Sequence, residues 1–416
     1  MDYEILDISL NENGFKKIKW AEKEMKVLEN IKERFSREKP FKNLKIGCSL
    51  HITSETANLL ITLKSGGAEV FLCASNPLST KDDVAASLVK DFEISVFGIR
   101  GEDREKYFKH IERVIEKNLD LTVDDGGDLT VTLHDKFFDK TNKIIGGTEE
   151  TTTGVIRLKN LEKEKILNYP IIAVNNAKTK RFFDNRFGTG QSTIDGVLRA
   201  TNILLSSKTL VVVGFGFCGK GIAERGKGMG AHVIVCEVDP VRALEAYMEG
   251  YEVMKIDKAV EIGDIFITAT GNINVIKKEH ILKMKEGAIL GNSGHFNVEI
   301  DVKGLEEITL EKEEVRENLV KHKLINGKEI YLISEGRLMN LGAAEGHPAS
   351  VMDMSFSNQA LSLEYILKNR EKLEKKVYNV PDDIDYEIAK IKLKTLGIQI
   401  DELSQEQKIY LDSWKV

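Results

Sequence analysis

Gly214-Phe215-Gly216-Phe217-Cys218-Gly219 sets three glycines at the spacing G-x-G-x-x-G. The motif follows an apolar run at 210–213 and opens a helical stretch at 220–228. In such a turn the first glycine permits the tight bend, and the second lets backbone N–H groups approach a pyrophosphate. The third lets helix and strand pack closely. The helix N-terminus then offers unpaired donors to the anion. Glu237 ends the next apolar run, 18 residues after Gly219. A carboxylate there accepts both ribose hydroxyls of NAD and repels a 2′-phosphate. Arg242, five residues on, is the one feature that would tolerate the phosphorylated cofactor. The alternative is a glycine-rich turn without a ligand. A dinucleotide site taken alone points to a dehydrogenase.

Other residues of chemical type stand outside this motif. Asp124, Asp125 and Asp128 surround Gly126-Gly127; Glu149-Glu150 precedes Thr151-Thr152-Thr153. Lys180 and Asp184 are spaced i, i+4, with Asn185 next, and His51, His295 and His347 are scattered. Each group has an ordinary reading. The aspartates suit a glycine turn. Their spacing misses the EF-hand pattern, so no metal is expected there. The threonines suit a strand, and a lone histidine at a strand end is commonly structural.

The elements that must hold these residues alternate in kind. Ile18, Ala21, Met25, Leu28, Ile31 and Phe35 recur at helical spacing, which predicts one long helix stopped by Pro40. Short apolar runs at 46–50, 70–74, 94–98, 121–123 and 171–174 read as strands, with helices at 57–63 and 84–88 between. A second series runs through 210–213, 232–236, 265–268, 288–290 and 331–333. Alternation of this kind implies parallel sheets covered by helices on both faces. A helix around 352–373 follows, then Pro381, a helix carrying Ile384, Ile388 and Ile391, and a capping-box pattern at Ser404 and Gln407.

Taken in order, several segments resemble those of the S-adenosylhomocysteine hydrolase family. They are Cys48-Ser-Leu-His-Ile-Thr-Ser-Glu-Thr-Ala57, Asp124-Asp-Gly-Gly-Asp-Leu-Thr130, Glu149-Glu-Thr-Thr-Thr-Gly154 and Lys180-Arg-Phe-Phe-Asp-Asn185. Gly294-His-Phe296 and Asn340-Leu-Gly342 with Gly346-His-Pro348 complete the series. The resemblance implies hydrolysis of an S-nucleosylhomocysteine by transient 3′ oxidation with bound NAD, C4′ deprotonation, thiolate loss, water addition and re-reduction.

It also implies roles. Glu150 accepts from the ribose hydroxyls, and Lys180 and Asp184 stand at the 3′ and 2′ oxygens. Lys180 can move a proton only if burial or a cationic neighbour lowers its pKa. His51 and Asp125 serve the C4′ and C5′ chemistry, with His295 and His347 at the sugar or homocysteine side. Thr53 and Glu55 match base-contacting positions. On the cofactor side fall Thr151, Thr152, Thr153, Asn185, Thr270, Gly271, Asn272, Asn340 and His347, beside the glycine motif; Asn175 belongs to the same wall.

Two departures stand out. Glu345 replaces a methionine that packs on adenine. A carboxylate only accepts hydrogen bonds, so one aimed at N1 would repel adenine and welcome hypoxanthine. S-adenosyl- and S-inosylhomocysteine are therefore both open. The sequence also ends at Trp414-Lys415-Val416, without the family's K-P-D-x-Y-R-Y tail; Lys408 and Tyr410 are its partial substitutes.

The implied architecture is α/β, with two doubly wound parallel-sheet domains. The NAD-binding Rossmann domain, 190–342, is inserted into a discontinuous substrate-binding and catalytic domain, 1–185 with 346–380. Residues 381–416 form a short helical oligomerisation segment, and a homotetramer is expected. Hinges are expected near 185–190 and 342–347. The 416 residues are 42% hydrophobic and 30% charged, with a formal charge of -6. That leaves no footprint for nucleic acid or an anionic membrane. The first residues do not form a signal peptide. No apolar run nears the roughly 20 residues of a membrane span. The four cysteines form no metal spacing and read as free thiols of a cytoplasmic protein. The rival readings are a dehydrogenase of a small acid, which would release NADH, and a non-catalytic regulatory homologue.

Overall fold

A computed structural model describes residues 1–414; Lys415 and Val416 lie outside the described residues. Six strands come first: β1 (Lys45–Leu50), β2 (Glu69–Ala74), β3 (Ser95–Phe97), β4 (Leu121–Asp124), β5 (Gly146–Glu149) and β6 (Ile171–Ala173). The chain then builds β7 (Thr209–Val213), β8 (His232–Cys236), β9 (Glu252–Val253), β10 (Ile265–Thr268), β11 (Ile289–Asn292), β12 (Thr309–Arg316), β13 (Leu319–Leu324) and β14 (Glu329–Ile333). It returns to lay β15 (Val377–Asn379) against β6, in parallel.

Two sheets result. The first is parallel throughout, in the order β15-β6-β5-β4-β1-β2-β3. The second has the order β12-β13-β14-β11-β10-β7-β8-β9, with β13 antiparallel to both neighbours. The central strands are buried on both faces, which is why they read as unbroken apolar runs. The direction of strand order reverses between β4 and β1 in the first sheet and between β10 and β7 in the second. Ligands of such sheets bind at the carboxyl ends of the strands beside these reversals.

The single helix expected over 18–35 is two, Asn11–Glu22 and Lys26–Glu38. Asp353, fully buried, accepts from the N–H groups of Val27 (3.1 Å) and Leu28 (2.8 Å). A carboxylate on a helix N-terminus satisfies orphan donors and favours a helix start there. Its source, 325 residues away, is invisible to local periodicity. Strand β5 also escapes the apolar pattern, because it consists of Gly146-Gly147-Thr148-Glu149.

The helix Asp382–Thr395 packs into the first body through Ile384 and Ile388, both buried. Only from Lys394 onward is the described chain exposed throughout. The capping box at Ser404 and Gln407 is present. No helix among the described residues is long and apolar enough to cross a membrane.

Candidate active site

Four chemistry-bearing residues of the first body follow strands. His51 follows β1, Asp125 follows β4, Glu150 follows β5, and Asn175 follows β6. The strand order brings these ends together beside the reversal. His51 Nε2 lies 3.3 Å from Asp125 Oδ2, and His295 Nδ1 lies 3.7 Å from Asp125 Oδ1. His51 Nδ1 is 2.8 Å from Ser79 Oγ and 3.1 Å from Ser75 Oγ. Burial pushes the His51 imidazole down to about 4, beyond what Asp125 restores. At neutral pH it is uncharged.

Lys180 ends a short helix, Lys178–Lys180, and a π-helical stretch, Arg181–Gly188, follows. The wider turn sets both the fourth and the fifth residue beside Lys180. Lys180 Nζ donates to Asn185 Oδ1 (2.9 Å) and lies 3.4 Å from Asp184 Oδ2 and 3.6 Å from Glu150 Oε1. All three charged side chains are buried. Lowering of the Lys180 pKa, the condition set by the sequence, is not met. Burial acts to lower it, but the Asp184 and Glu150 carboxylates outweigh burial and hold the amine above its ordinary value. Burial raises Asp184 as well, yet Lys180 and His347 keep it well below the usual carboxylate range. Glu150 goes the other way: burial carries it up to about 8 despite Lys180.

The start of this helical run is fixed from a distance. Asp385 accepts from the N–H groups of Lys178 (2.6 Å) and Thr179 (2.8 Å). The long helix Ala349–Asn369 lies along it. From that helix Ser355 Oγ donates to Asp184 Oδ2 at 2.7 Å, and the Gln359 amide donates to Glu150 Oε2. His347 Nδ1 meets Asp184 Oδ1 at 2.8 Å, while Asn340 Nδ2 donates to His347 Nε2 at 3.0 Å. His347 is thereby held from both ring nitrogens.

One cavity is lined by His51, Thr53, Glu55, Asp125, Glu150, Thr151, Lys180, Asp184, Asn185, Cys218, His295, Asn340, Glu345 and His347, all singled out in the sequence. It also gathers Met352 and Phe356, apolar residues that no motif marked. Thr53 caps the helix Ser54–Ser65, and Glu55 sits in its first turn, where burial raises its pKa. Glu345 is exposed, and its carboxylate pairs with Lys81 Nζ (3.3 Å) and Arg199 Nη1 (3.4 Å). Burial would raise that carboxylate, but these cations lower it.

Thr152, Thr153, Gly214, Gly216, Phe217, Gly219, Glu237, Arg242, Thr270, Gly271 and Asn272 lie outside this lining. Thr151 stands at the N-terminal boundary of the helix Thr152–Lys163, so the threonine triplet starts a helix and is no strand. The glycine turn follows β7 with Gly214 at φ 98°, and a Cβ on Gly219 would come within 1.9 Å of Gly214 O. The helix Phe217–Gly228 has no side-chain cap at Gly216. Glu237 accepts from the Phe215 N–H at 2.6 Å, which sets a carboxylate at the mouth of the turn. Uncapped N–H groups, a turn with glycine at its three close-approach positions and an acid just past the neighbouring strand fit a dinucleotide. Thr270 and Gly271 follow β10, and Glu299 holds both by their N–H groups (2.9 and 2.8 Å).

Comparisons with known proteins agree across the chain. A family model described as "S-adenosyl-L-homocysteine hydrolase" matches residues 2–142, and one described as its NAD binding domain matches 185–346. The chain is 61% identical over 416 residues to the adenosylhomocysteinase of Aquifex aeolicus, covering 100% of both. It is 55% identical over 413 residues to the S-inosyl-L-homocysteine hydrolase of Methanocaldococcus jannaschii, covering 99% of each. Among solved structures, a dipicolinate synthase chain from Bacillus halodurans shares the fold at 14% identity and a TM-score of 0.51. That likeness covers 79% of this chain and 99% of the other.

Proposed function

The chain belongs to the S-adenosyl-L-homocysteine hydrolase family, and on that premise we propose that its preferred substrate is S-adenosyl-L-homocysteine. It is an NAD-dependent hydrolase of an S-nucleosylhomocysteine. The choice of base rests on one observation: Glu345 is engaged by Lys81 and Arg199. For Glu345 to serve as the N1 acceptor that hypoxanthine needs, it would have to leave two cations. Adenine needs a donor for N1 and an acceptor for its amine. Thr53 and Glu55, both in the cavity lining, are of those types. Steady-state kinetics on the adenosyl and inosyl thioethers test this. A kcat/KM at least about tenfold higher for the adenosyl compound is expected, since buried unpaired polar groups discriminate strongly. A preference for the inosyl compound would overturn the assignment.

The roles follow from charge and proximity. Glu150 and Asp184 accept from the ribose hydroxyls, and Lys180 between them polarises the 3′ oxygen. The 3′ proton passes to this coupled set, in which Glu150 at about 8 is matched to proton transfer near neutrality. Bound NAD supplies reversible hydride acceptance at C3′. With a ketone at C3′ the C4′–H is acidic, and Asp125 with uncharged His51 removes that proton. Homocysteine leaves C5′ as a thiolate, and the same pair directs water to C5′. His295 closes this end beside Asp125. Gly214, Gly216 and Gly219 with the helix they open would hold the pyrophosphate, and Glu237 the adenosine ribose. Thr151, Thr152, Thr153, Asn185 and Asn340 would hold the nicotinamide end.

A cytoplasmic homotetramer is part of this proposal. All four cysteines are free thiols. Beyond residue 395, Ile398, Ile400, Leu403, Ile409 and Leu411 are exposed apolar side chains that contact between protomers would cover. Light scattering during size exclusion measures the number of protomers, and a monomer would reject the assembly.

A further inference from the structure

The helix Ala349–Asn369 carries several buried polar side chains among its apolar ones. Asp353, Ser355, Ser357, Asn358, Gln359 and Ser362 are all fully buried on it. Two of them, Ser355 and Gln359, stand one turn apart and so project from the same side. Burying a primary amide is unfavourable unless it is hydrogen-bonded. Here its oxygen, Gln359 Oε1, has no hydrogen-bond partner among the described residues. What the amide contributes here is its N–H, which donates to Glu150 Oε2.

We propose that Gln359, with Ser355, is a positioning residue of the hydrolase. Gln359 donates to Glu150 Oε2 and Ser355 donates to Asp184 Oδ2, so one helix face sets both carboxylates on either side of Lys180. This rests on Glu150 and Asp184 being the ribose acceptors proposed above. Glu150 is tied at one oxygen only: Oε1 has no hydrogen-bond partner among the described residues and lies 3.6 Å from Lys180 Nζ. It is left toward Lys180 for a ligand hydroxyl. A neutral donor is the type required. The groups facing Glu150 are Lys180, Asp184 and Asp125, with His347 beyond Asp184. A further charge on the helix would upset that set, whereas an amide N–H steadies the carboxylate without changing its charge.

The experiment uses the NAD-loaded full chain and compares Gln359→Met, Gln359→Glu and wild type. It follows kcat and KM for S-adenosyl-L-homocysteine across pH, with thermal melting and calorimetric binding of adenosine. Methionine keeps the volume and removes the donor. Its kcat/KM is expected to fall roughly tenfold at neutral pH, with the acid limb moved up by about one pH unit. Adenosine binding should weaken in parallel while the melting temperature is unchanged or higher. Glutamate shares one proton with Glu150, as close carboxyl pairs do. That proton restores a donor, so Gln359→Glu should approach wild type at low pH and fail as pH rises. An unshifted Gln359→Met profile, or losses in both variants that track melting at every pH, would overturn the inference. If wild type hydrolyses neither nucleosyl thioether, the reaction assignment has failed instead. Wild-type turnover with an unshifted variant profile fails the positioning role alone.

Discussion

Lys180 lies within ion-pair reach of both Glu150 and Asp184, and the three titrate as a set. Replacing it with methionine leaves two buried carboxylates facing each other without the cation between them. Lys180→Met is expected to lose roughly a thousandfold in kcat, measured by homocysteine release, as for loss of a preorganised group that stabilises charge at the reacting oxygen. The sign of the pH effect follows from Glu150. Burial holds it protonated up to about 8, so its ionised, hydroxyl-accepting form fills only as pH rises toward that value. The kcat/KM profile should climb with an apparent limb near 8, and Glu150→Gln should abolish the limb along with most activity. The same shift acts oppositely on stability. A carboxyl raised by folding stabilises the protein below its unfolded value, and that contribution fades through about 8. At this scale the sequence was informative wherever a residue sat in an ordered motif: His51, Asp125, Glu150, Lys180 and Asp184 all converge on one cavity. It was silent on Ser355 and Gln359. Polar residues on a helix read as its solvated face, and only the tertiary fold shows them buried.

Elements position that set through contacts far apart in sequence. Asp385, on the helix Asp382–Thr395, holds the N–H groups that begin the run carrying Lys180. It acts as a cap supplied by another element, and it also accepts from Thr179 Oγ1. Asp385→Ala removes three hydrogen bonds from a buried site and is expected to cost about 2 kcal/mol, as the stronger helix caps do. Urea unfolding measures that cost. The kcat should fall more than KM rises, because Lys180 is displaced from its partners. Strands and helices of strong periodicity were legible, since parallel strands buried on both faces show as apolar runs. The elements missed have a physical excuse. Strand β5 is glycine-rich, and β12, an edge strand of Thr309-Leu-Glu-Lys-Glu-Glu-Val-Arg316, is almost wholly exposed. Charged residues along such an edge discourage pairing with another chain and mask the strand pattern.

At the scale of the molecule the two sheets are joined by the π-helical run ending at Gly188 and by the segment around 342–347. Lys81 and Arg100, both from the first body, reach that segment. Lys81 donates to Ala344 O (3.3 Å) and Arg100 to Gly342 O (2.9 Å). Glu345 adds its ion pairs to Lys81 and to Arg199 in the helix Thr189–Thr201. Glu345 and Arg199 are exposed, and pairs with an exposed carboxylate contribute at most about 1 kcal/mol. Glu345→Gln is therefore expected to change kcat/KM for the adenosyl thioether by less than about fivefold, and to leave the order of the two bases intact. A reversal of base preference on that substitution would mean that Glu345 reads the base after all.

The return of the chain to its first sheet has a consequence for how the protein is made. Val377 pairs with Ile171, and the buried face of the helix Ala349–Asn369 belongs to the core around β1. The ribosome must therefore deliver the whole second sheet before the first can be completed. Sheets that rely on such distant pairings form slowly and leave strand edges open meanwhile. The inserted Rossmann unit, whose strands β7 to β11 are closely spaced in the chain, should fold first on the nascent chain. The half built on the first sheet should stay protease-sensitive until synthesis passes residue 379. Pulse proteolysis of ribosome-stalled chains ending before and after β15 would reveal that order, and protection of residues 45–173 in the shorter chains would refute it.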